Sequence, residues 1–504
     1  MEPREVRLRK GLGRVLNAWL LVSRSRRAIF GISIIAFYVL LAVVAPLLTS
    51  NDPVYGNFVA NNWAAPSWYR SLGIDHSLSA NMFVPQASTA GFDTNSSLSA
   101  WNLNSTNPNI VSFQYSSTVG LSAPGSLQVN IAPRPAGTSY GAIVITIAQT
   151  FNYLYGGPPG RFIGTGSALL HFGASSPQVA ANWFIDRVGN QSFPVTRRSN
   201  IDLSNSTWFT PVPAIDSRDA SFVGVNFRQY TQPPEKVVFG NTGAYSYRMQ
   251  FTVLDLDSSH PFSGTIYVDD VSLRLLGTSY GLFGTDELGR DLFSQLVYGA
   301  RISLTVGLLA AGVSVLIGLV VGLIAGFKAG VLDEVLMRFT DMLLVLPGLP
   351  LILVLVAILS PSLWTIIAVI SLLGWMGFAR VIRSQVVTLK ERPFVEASKA
   401  TGAGSRHIIT RHVLPNVMGL TYVSLATAVP GAITLEAALS FLGLFDPFVM
   451  SWGRILNNAE NNQGFFYWYW IMPPGISIAL LSLAFILIGY GIDDILNPRL
   501  RERR

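Results

Sequence analysis

The stretch EASKATGAGSRHIITRHVLPN, Glu396–Asn416, is polar and basic, carries two glycines, and lies between long apolar runs. Pro393, just before it, suits the first turn of a helix. Phe394, Ala397 and Thr401 then follow helical spacing, and Gly402 and Gly404 break the run. Ser405 is the expected N-cap of a second helix, with Ile408, Ile409, His412 and Val413 on one side. The pattern is helix, glycine turn, helix, and Pro415 marks its passage into the next apolar run. Ala397, Ser398, Ala400 and Gly402 leave little bulk on the first helix, so a partner can approach its backbone. The alternative is an amphipathic helix lying on the membrane. The first helix lacks the large apolar side chains that bury well in lipid.

Outward from this segment the chain reads as membrane. Half of its 504 residues are apolar, and its mean hydropathy is +0.41. Expected spans are 28–48, 303–326, about 335–359, about 363–385, about 417–441 and about 471–492, each near the ~20 residues that cross a bilayer. The first, AIFGISIIAFYVLLAVVAPLL, follows a basic terminus. A signal peptide is the rival reading, but the run is long for one and no small-x-small cleavage site follows. With the N-terminus cytoplasmic, alternation places 51–302 outside. It places 386–416 and the C-terminal NPRLRERR inside. Lys390, Arg392, Lys399, Arg406 and Arg411 on 386–416 agree with the positive-inside rule. FFYWYW, Phe465–Trp470, falls at the outer headgroup zone.

Residues 51–277 differ in character. They carry eleven Arg/Lys and twelve Asp/Glu, a net of −1, so the rest of the chain carries +8 of the total +7. Short alternating runs read as strands: SLQVNI from Ser126, GAIVITIAQTF from Gly141, ALLHF from Ala168, YSYRMQFTVLDLD from Tyr245 and GTIYVDDVSLRLL from Gly264. The expected fold class is therefore mixed. A six-span α-helical membrane domain carries an all-β extracellular domain inserted between spans 1 and 2. The expected division is 1–50, 51–277 and 278–504. Asn95, Asn104, Asn190 and Asn205 begin Asn-x-Ser/Thr sequons, all inside the β region, which agrees with an outside location.

Several function classes fall away. The chain has no cysteine, so disulfides, zinc ribbons and thiol nucleophiles are excluded. Its five histidines show no metal-ligand spacing. The charge pattern suits topology and not nucleic-acid binding. None of the five lysines follows a glycine. A phosphate-binding P-loop therefore cannot form, and any ATP chemistry belongs to a partner. Gly318, Gly322 and Gly326 make one smooth helix face for packing. Pro347 and Pro350 bend the third span, either to line a pathway or for packing alone. Arg338 and Asp341 read as a packing pair. Glu436, within AVPGAITLEAALSFLGL, is a costly carboxylate at membrane depth and a candidate pathway or gate residue. The structural alternative is a cap for the outer loop at 451–460.

The segment at 396–416 resembles the EAA loop of ABC-importer permeases. Glu396, Ala397, Gly402, Leu414 and Pro415 stand at the family spacing, and Ser398 stands where a second Ala is common. RHVLPN, GTDELGRDLFSQLVYGARISL (Gly284–Leu304), LSFLGL (Leu439–Leu444) and SWGRILNNA (Ser451–Ala459) resemble the dipeptide/oligopeptide-type permeases. The resemblance covers about 1–50 and 280–500. It implies that Glu396, Ala397, Ser398 and Gly402 contact a cytoplasmic ATPase subunit and that Leu414 and Pro415 anchor the return into the membrane. It further implies a second homologous permease, two ATPase subunits holding ATP and Mg, an extracellular solute-binding protein, and a chain that is not itself an enzyme. Peptides and oligosaccharides both remain open as cargo. A membrane-anchored glycan-binding or surface-layer protein is the rival, but it needs only one span.

The inserted region departs from that family. AGFDTNSSLSAWNL, APGSLQVNI and GTIYVDDVSLRLL resemble carbohydrate-binding-module-like jelly rolls. That resemblance implies a structural calcium near Asp269 or Asp270, against the alternative of two solvated carboxylates. It leaves two roles open, docking of the binding protein or glycan binding. Trp101, Trp183 and Trp208 are the candidates for stacking on sugar rings, with Trp101 read more as core.

Overall fold

The computed structural model describes residues 25–56, 59–84, 102–103, 110–118, 127–134, 142–154, 157–172, 178–187, 192–201, 212–218, 232–254 and 262–496. The chain divides into two compact units, 58–290 and the combination of 1–57 with 291–504.

The helical unit begins with α1 (Arg26–Leu48), whose cap Ser25 accepts the Ala28 amide at 3.4 Å. In the β unit lie two five-residue helices, α2 (Ser67–Ser71) and α3 (Pro234–Val238). The helical unit then continues through α4 (Leu292–Lys328), α5 (Val331–Val345), α6 (Gly348–Ile358), α7 (Leu363–Gly374) and α8 (Met376–Lys390). Next come α9 (Pro393–Ala400), α10 (Ser405–Ile408), α11 (Leu414–Phe441), α12 (Trp452–Asn461) and α13 (Trp468–Leu496). Among the described residues, five helices are long and apolar enough to cross a membrane: 26–48, 292–328, 363–390, 405–441 and 468–493.

The expected third span differs. It is two helices, α5 and α6, meeting at 89°, and only if this bent pair is one span does the total reach six. The physical reason is Pro347. Its ring has no N–H to continue the α5 ladder, and the residue before a proline is driven out of helical geometry. Leu346 is accordingly extended, and Pro347 becomes the cap of α6.

α4 is the centre of the helical unit. Asp291 caps it, accepting the amides of Phe293 at 3.1 Å and Ser294 at 3.3 Å. The Gly318–Gly322–Gly326 stripe lies on α8. A Cβ at Gly322 would stand 2.6 Å from the Ala379 carbonyl and 2.7 Å from Ile382 Cβ, and one at Gly326 would stand 2.8 Å from Val386 Cβ. Missing side chains let two backbones approach, and dispersion contacts replace them. The Arg338–Asp341 pair does not form. Arg338 instead reaches Glu334 at 2.6 Å, one turn back, and Asp341 pairs with Arg380 of α8. A carboxylate facing a neighbouring helix is taken by the cation there, and an exposed arginine settles for its i−4 neighbour.

The described residues of the β unit form two sheets. One runs β1 (Met82–Val84), β11 (Phe262–Leu276), β6 (Arg161–Phe172), β9 (Val212–Asp216), with β4 (Leu127–Arg134) also on β11. The other runs β2 (Asn102–Leu103), β3 (Ile110–Thr118), β5 (Ala142–Tyr153), β10 (Gly243–Leu254), β7 (Gln178–Arg187), β8 (Ser192–Ile201). All pairs are antiparallel except β3 with β5. The sheets meet around buried Phe239, whose ring lies 5.8 Å from Phe162 of the first sheet and 5.0 Å from Tyr245 of the second. Trp183 is fully buried and stacks on Tyr247 at 5.1 Å, so it is a core residue and not an exposed ring for sugar.

The β unit runs past the expected boundary to Arg290. Residues 278–290 pair with 63–65: the Ala65 amide donates to Thr278 at 2.9 Å and the Trp63 amide to Asp286 at 2.9 Å. Asp286 is buried and closes its own loop, accepting the Leu288 and Arg290 amides at 2.9 Å each and the Arg290 Nε at 2.7 Å.

The glycine stripe generates a test. Gly322→Ala should lose about 1–3 kcal/mol through overpacking and lower the thermal midpoint of the detergent-purified protein. Gly312→Ala on the same helix, where a Cβ meets nothing within 4 Å, should hold or raise it. Equal midpoints would refute the close-packing account.

Candidate coupling site

The segment at 391–416 is assembled from local rules. α8 ends at Lys390, and Pro393 opens α9 at its first turn. α9 ends in a Schellman turn: the Gly402 amide donates to the Lys399 carbonyl at 2.9 Å and the Ala403 amide to the Ser398 carbonyl at 3.1 Å. Gly402 stands at φ +81°, the left-handed conformation that glycine enters without a Cβ penalty. The chain is extended again at Gly404, which is the cap position of α10 with no side-chain cap. Ser405 is therefore not the N-cap. The Gly404 carbonyl takes the first helical bond, from Ile408 at 3.1 Å, and Ser405 is already helical.

A π-helical turn, Ile409–Val413, leads into α11. The Leu414 amide reaches back to Ile409, five residues away, and Pro415 follows. The wider turn makes room for a proline ring that would press on the carbonyl four residues back. Helix therefore continues from this segment into the span with no break at Pro415.

One face of the segment is buried. Val395, Ile408, Val413 and Val417 are all under 3 % exposed and join one apolar cluster with Leu319, Leu323 and Phe327 of α4 and Ile382 and Val386 of α8. Leu414 packs against that cluster. The other face is open. Glu396, Ala397, Lys399, Ala400, Gly402, Arg406 and Pro415 are exposed, and Ser398 is half-buried. Glu396 makes no ion pair or side-chain hydrogen bond among the described residues. So Glu396, Ala397 and Gly402 share the free face, and Leu414 belongs to the mount. Val395 was missed by sequence reasoning. Its signal was a β-branched apolar residue beside Phe394, opening a run that is small or polar from Glu396 to Gly404. Also missed was the brace on the same end of the unit. Arg383 of α8 donates to Asp333 of α5 through Nε at 2.5 Å and Nη2 at 2.6 Å, a two-pronged bond that fixes orientation.

At the opposite end of α11, Glu436 is 2 % exposed. Its Oε1 accepts the Ser440 hydroxyl at 2.7 Å, and Ser440 lies 3.5 Å from the hydroxyl of Ser451, the cap of α12. The structure thus places this carboxylate in a short chain joining the end of α11 to the start of α12. Asp269 and Asp270 lie in β11 where its register shifts between Asp269 and Ser272. Their side chains fall outside the described residues, as do Trp101, Trp208, Asn95, Asn104, Asn190 and Asn205.

Residues 318–502, from the middle of α4 through α13 and including the whole segment at 391–416, match the family model of binding-protein-dependent transport system inner membrane components. The chain is 43% identical over 222 residues to the dipeptide transport system permease protein DppC of Bacillus subtilis (strain 168), covering 44% of this chain and 69% of that one. It is 39% identical over 221 residues to the oligopeptide transport system permease protein OppC of the same organism, covering 44% and 72%. The chain belongs to this family. It is an ABC-importer permease subunit, a multi-pass membrane component and not itself an enzyme. A solved MetNI methionine ABC transporter overlaps at 19% identity and TM-score 0.32, over 40% of this chain and 95% of that one. The described β strands of the permease all precede the matched family region.

Two outcomes follow from the site's construction. Val395→Ala should cost about 1–3 kcal/mol of local packing and speed amide exchange across Pro393–Ala400 by about tenfold, with α4 unchanged. No change in that exchange would mean the valine is not the mount. Glu436→Ala, which strands the Ser440 hydroxyl, should lower the thermal midpoint by several degrees, whereas Glu436→Gln should stay near wild type, roughly within 1 kcal/mol.

Proposed function

We propose that this permease imports short peptides, driven by two cytoplasmic ATPase subunits that hold ATP and Mg and seat against Glu396, Ala397, Ser398 and Gly402. The observation that carries the proposal is the two-sided segment. Its open face is bare enough for a partner to approach the backbone, and its other face is bolted into α4, α8 and α11. Movement of a docked partner is then transmitted to three membrane helices and not absorbed by a flexible loop. Peptide cargo is favoured by the relatives, which are named for dipeptides and oligopeptides. An oligosaccharide cargo loses one of its supports with Trp183 in the core.

The complete importer in this reading has a second homologous permease and an extracellular solute-binding protein. Both termini and 386–416 are cytoplasmic, and the β unit is extracellular. The β unit, read as a jelly roll, docks the binding protein or stiffens the assembly, with Asp269 or Asp270 available for a structural calcium.

Ala397→Trp tests the coupling face. Ala397 is exposed and helical, so a bulky ring there blocks a partner without backbone strain, whereas Gly402→Trp would confound the two. Expected are loss of ATPase subunits on purification by about tenfold, loss of trialanine uptake in liposomes holding the complete importer, and an unchanged thermal midpoint of the permease. Wild-type retention of the ATPase subunits together with wild-type uptake would remove the coupling role.

A further inference from the structure

Away from the coupling face, a cavity of about 470 Å³ opens at the other end of the helical unit. That volume falls within the roughly 300–1,000 Å³ of small-molecule sites. One wall is a single face of α4, where Tyr298, Arg301 and Thr305 recur at helical spacing. A second wall is the turn after α1, with Asp52 and Tyr55, and a third is the loop 448–450. This third wall is fixed in place. Asp446 accepts the Leu363 amide at 3.0 Å and the Phe448 amide at 2.9 Å, and Arg454 donates to the carbonyls of Pro447 at 3.0 Å and Val449 at 2.7 Å.

The charges on these walls are unmatched. The Arg301 guanidinium has no hydrogen bond or ion pair among the described residues. Asp52 spends Oδ1 on its own turn, accepting the amides of Val54 and Tyr55 at 2.7 Å each, and Oδ2 has no partner among the described residues. A cation and an anion therefore line one cavity and do not pair with each other. α4 has 37 residues, about 55 Å at 1.5 Å per residue, far longer than the ~30 Å hydrocarbon core. Arg301 lies about 14 Å along it, near the mouth and not at mid-membrane.

We propose that this cavity is an entry site for a short zwitterionic peptide. Arg301 holds the terminal carboxylate, Asp52 Oδ2 holds the terminal ammonium, and Tyr55, Tyr298 and Phe448 flank the chain between them. Guanidinium matches carboxylate in a planar fork, and the rings supply area without sequence demands. The inference rests on the peptide-importer reading above.

The test uses the complete importer in liposomes with trialanine, its C-terminal amide and its N-acetyl form. The same binding protein serves every variant, so its own preference cancels when variants are compared. Arg301→Met should raise the KM for trialanine about tenfold and leave that for the amide unchanged, and Arg301→Lys should recover part of the loss. Asp52→Asn keeps Oδ1 for the turn and removes the charge. It should raise the KM for trialanine and leave that for the N-acetyl peptide unchanged. Co-purification of the ATPase subunits with each variant reports assembly. Equal losses for all three peptides, or none, would overturn the site. So would uptake that tracks phosphatidylethanolamine content in wild type but not in Arg301→Met, since the cavity would then hold a lipid head group. A wild-type importer that moves none of the three peptides would sink the peptide reading itself, and the site with it, before any variant is compared.

Discussion

The helical unit depends on one apolar cluster. Leu319, Leu323 and Phe327 of α4, Ile382 and Val386 of α8, and Val395, Ile408, Val413 and Val417 of the coupling segment and its exit into α11 close on each other. Nine side chains from parts of the chain about a hundred residues apart thus make one joint. Burying a side chain of this size contributes on the order of 1.5–3 kcal/mol. That is enough to hold a short polar helix, α9, which could not stand alone at eight residues. Without the joint, the exposed face would be a tethered loop.

The joint requires α4 and α8 to lie close, and that is the work of glycine. Gly318, Gly322 and Gly326 bring the α4 backbone against the carbonyls of Trp375, Ala379 and Arg383. A residue type chosen for absence of bulk in one helix therefore fixes where valine and isoleucine meet in the next layer. The Asp333–Arg383 fork adds direction, since a planar guanidinium accepts a carboxylate in few orientations. The same end of the unit thus combines non-directional burial with one directional bond.

Legibility in the sequence followed the range of the interaction. The spans were readable because an apolar run of about 20 residues is a property of neighbours along the chain. Each of the five expected strands overlaps an observed one, and 168–172 and 264–276 lie wholly within β6 and β11, because alternation is local too. Gly402 was readable as a breaker, but its Schellman turn, and Gly404 in place of Ser405 at the cap, came from backbone hydrogen bonds. Arg338 and Asp341 looked like partners because they are three apart. Across the helix boundary, Arg380 offered a better partner to Asp341, and composition carries no record of which helices are adjacent. Trp183 looked like a surface ring for the same reason, until the β10 strand placed Tyr247 against it.

By itself the sequence determined the membrane class, the missing phosphate-binding lysine, the β insert and the position of the polar segment with its small residues at 397, 398, 400 and 402. These are set by residue type and local spacing, which the chain carries everywhere. Only the tertiary structure decided that Val395 faces inward while Ala397 faces out, that Pro347 breaks the third span at 89°, and that Asp52 and Arg301, 249 positions apart in the chain, line one cavity. Each of these depends on which surfaces meet, and burial and charge matching act through space and not along the chain.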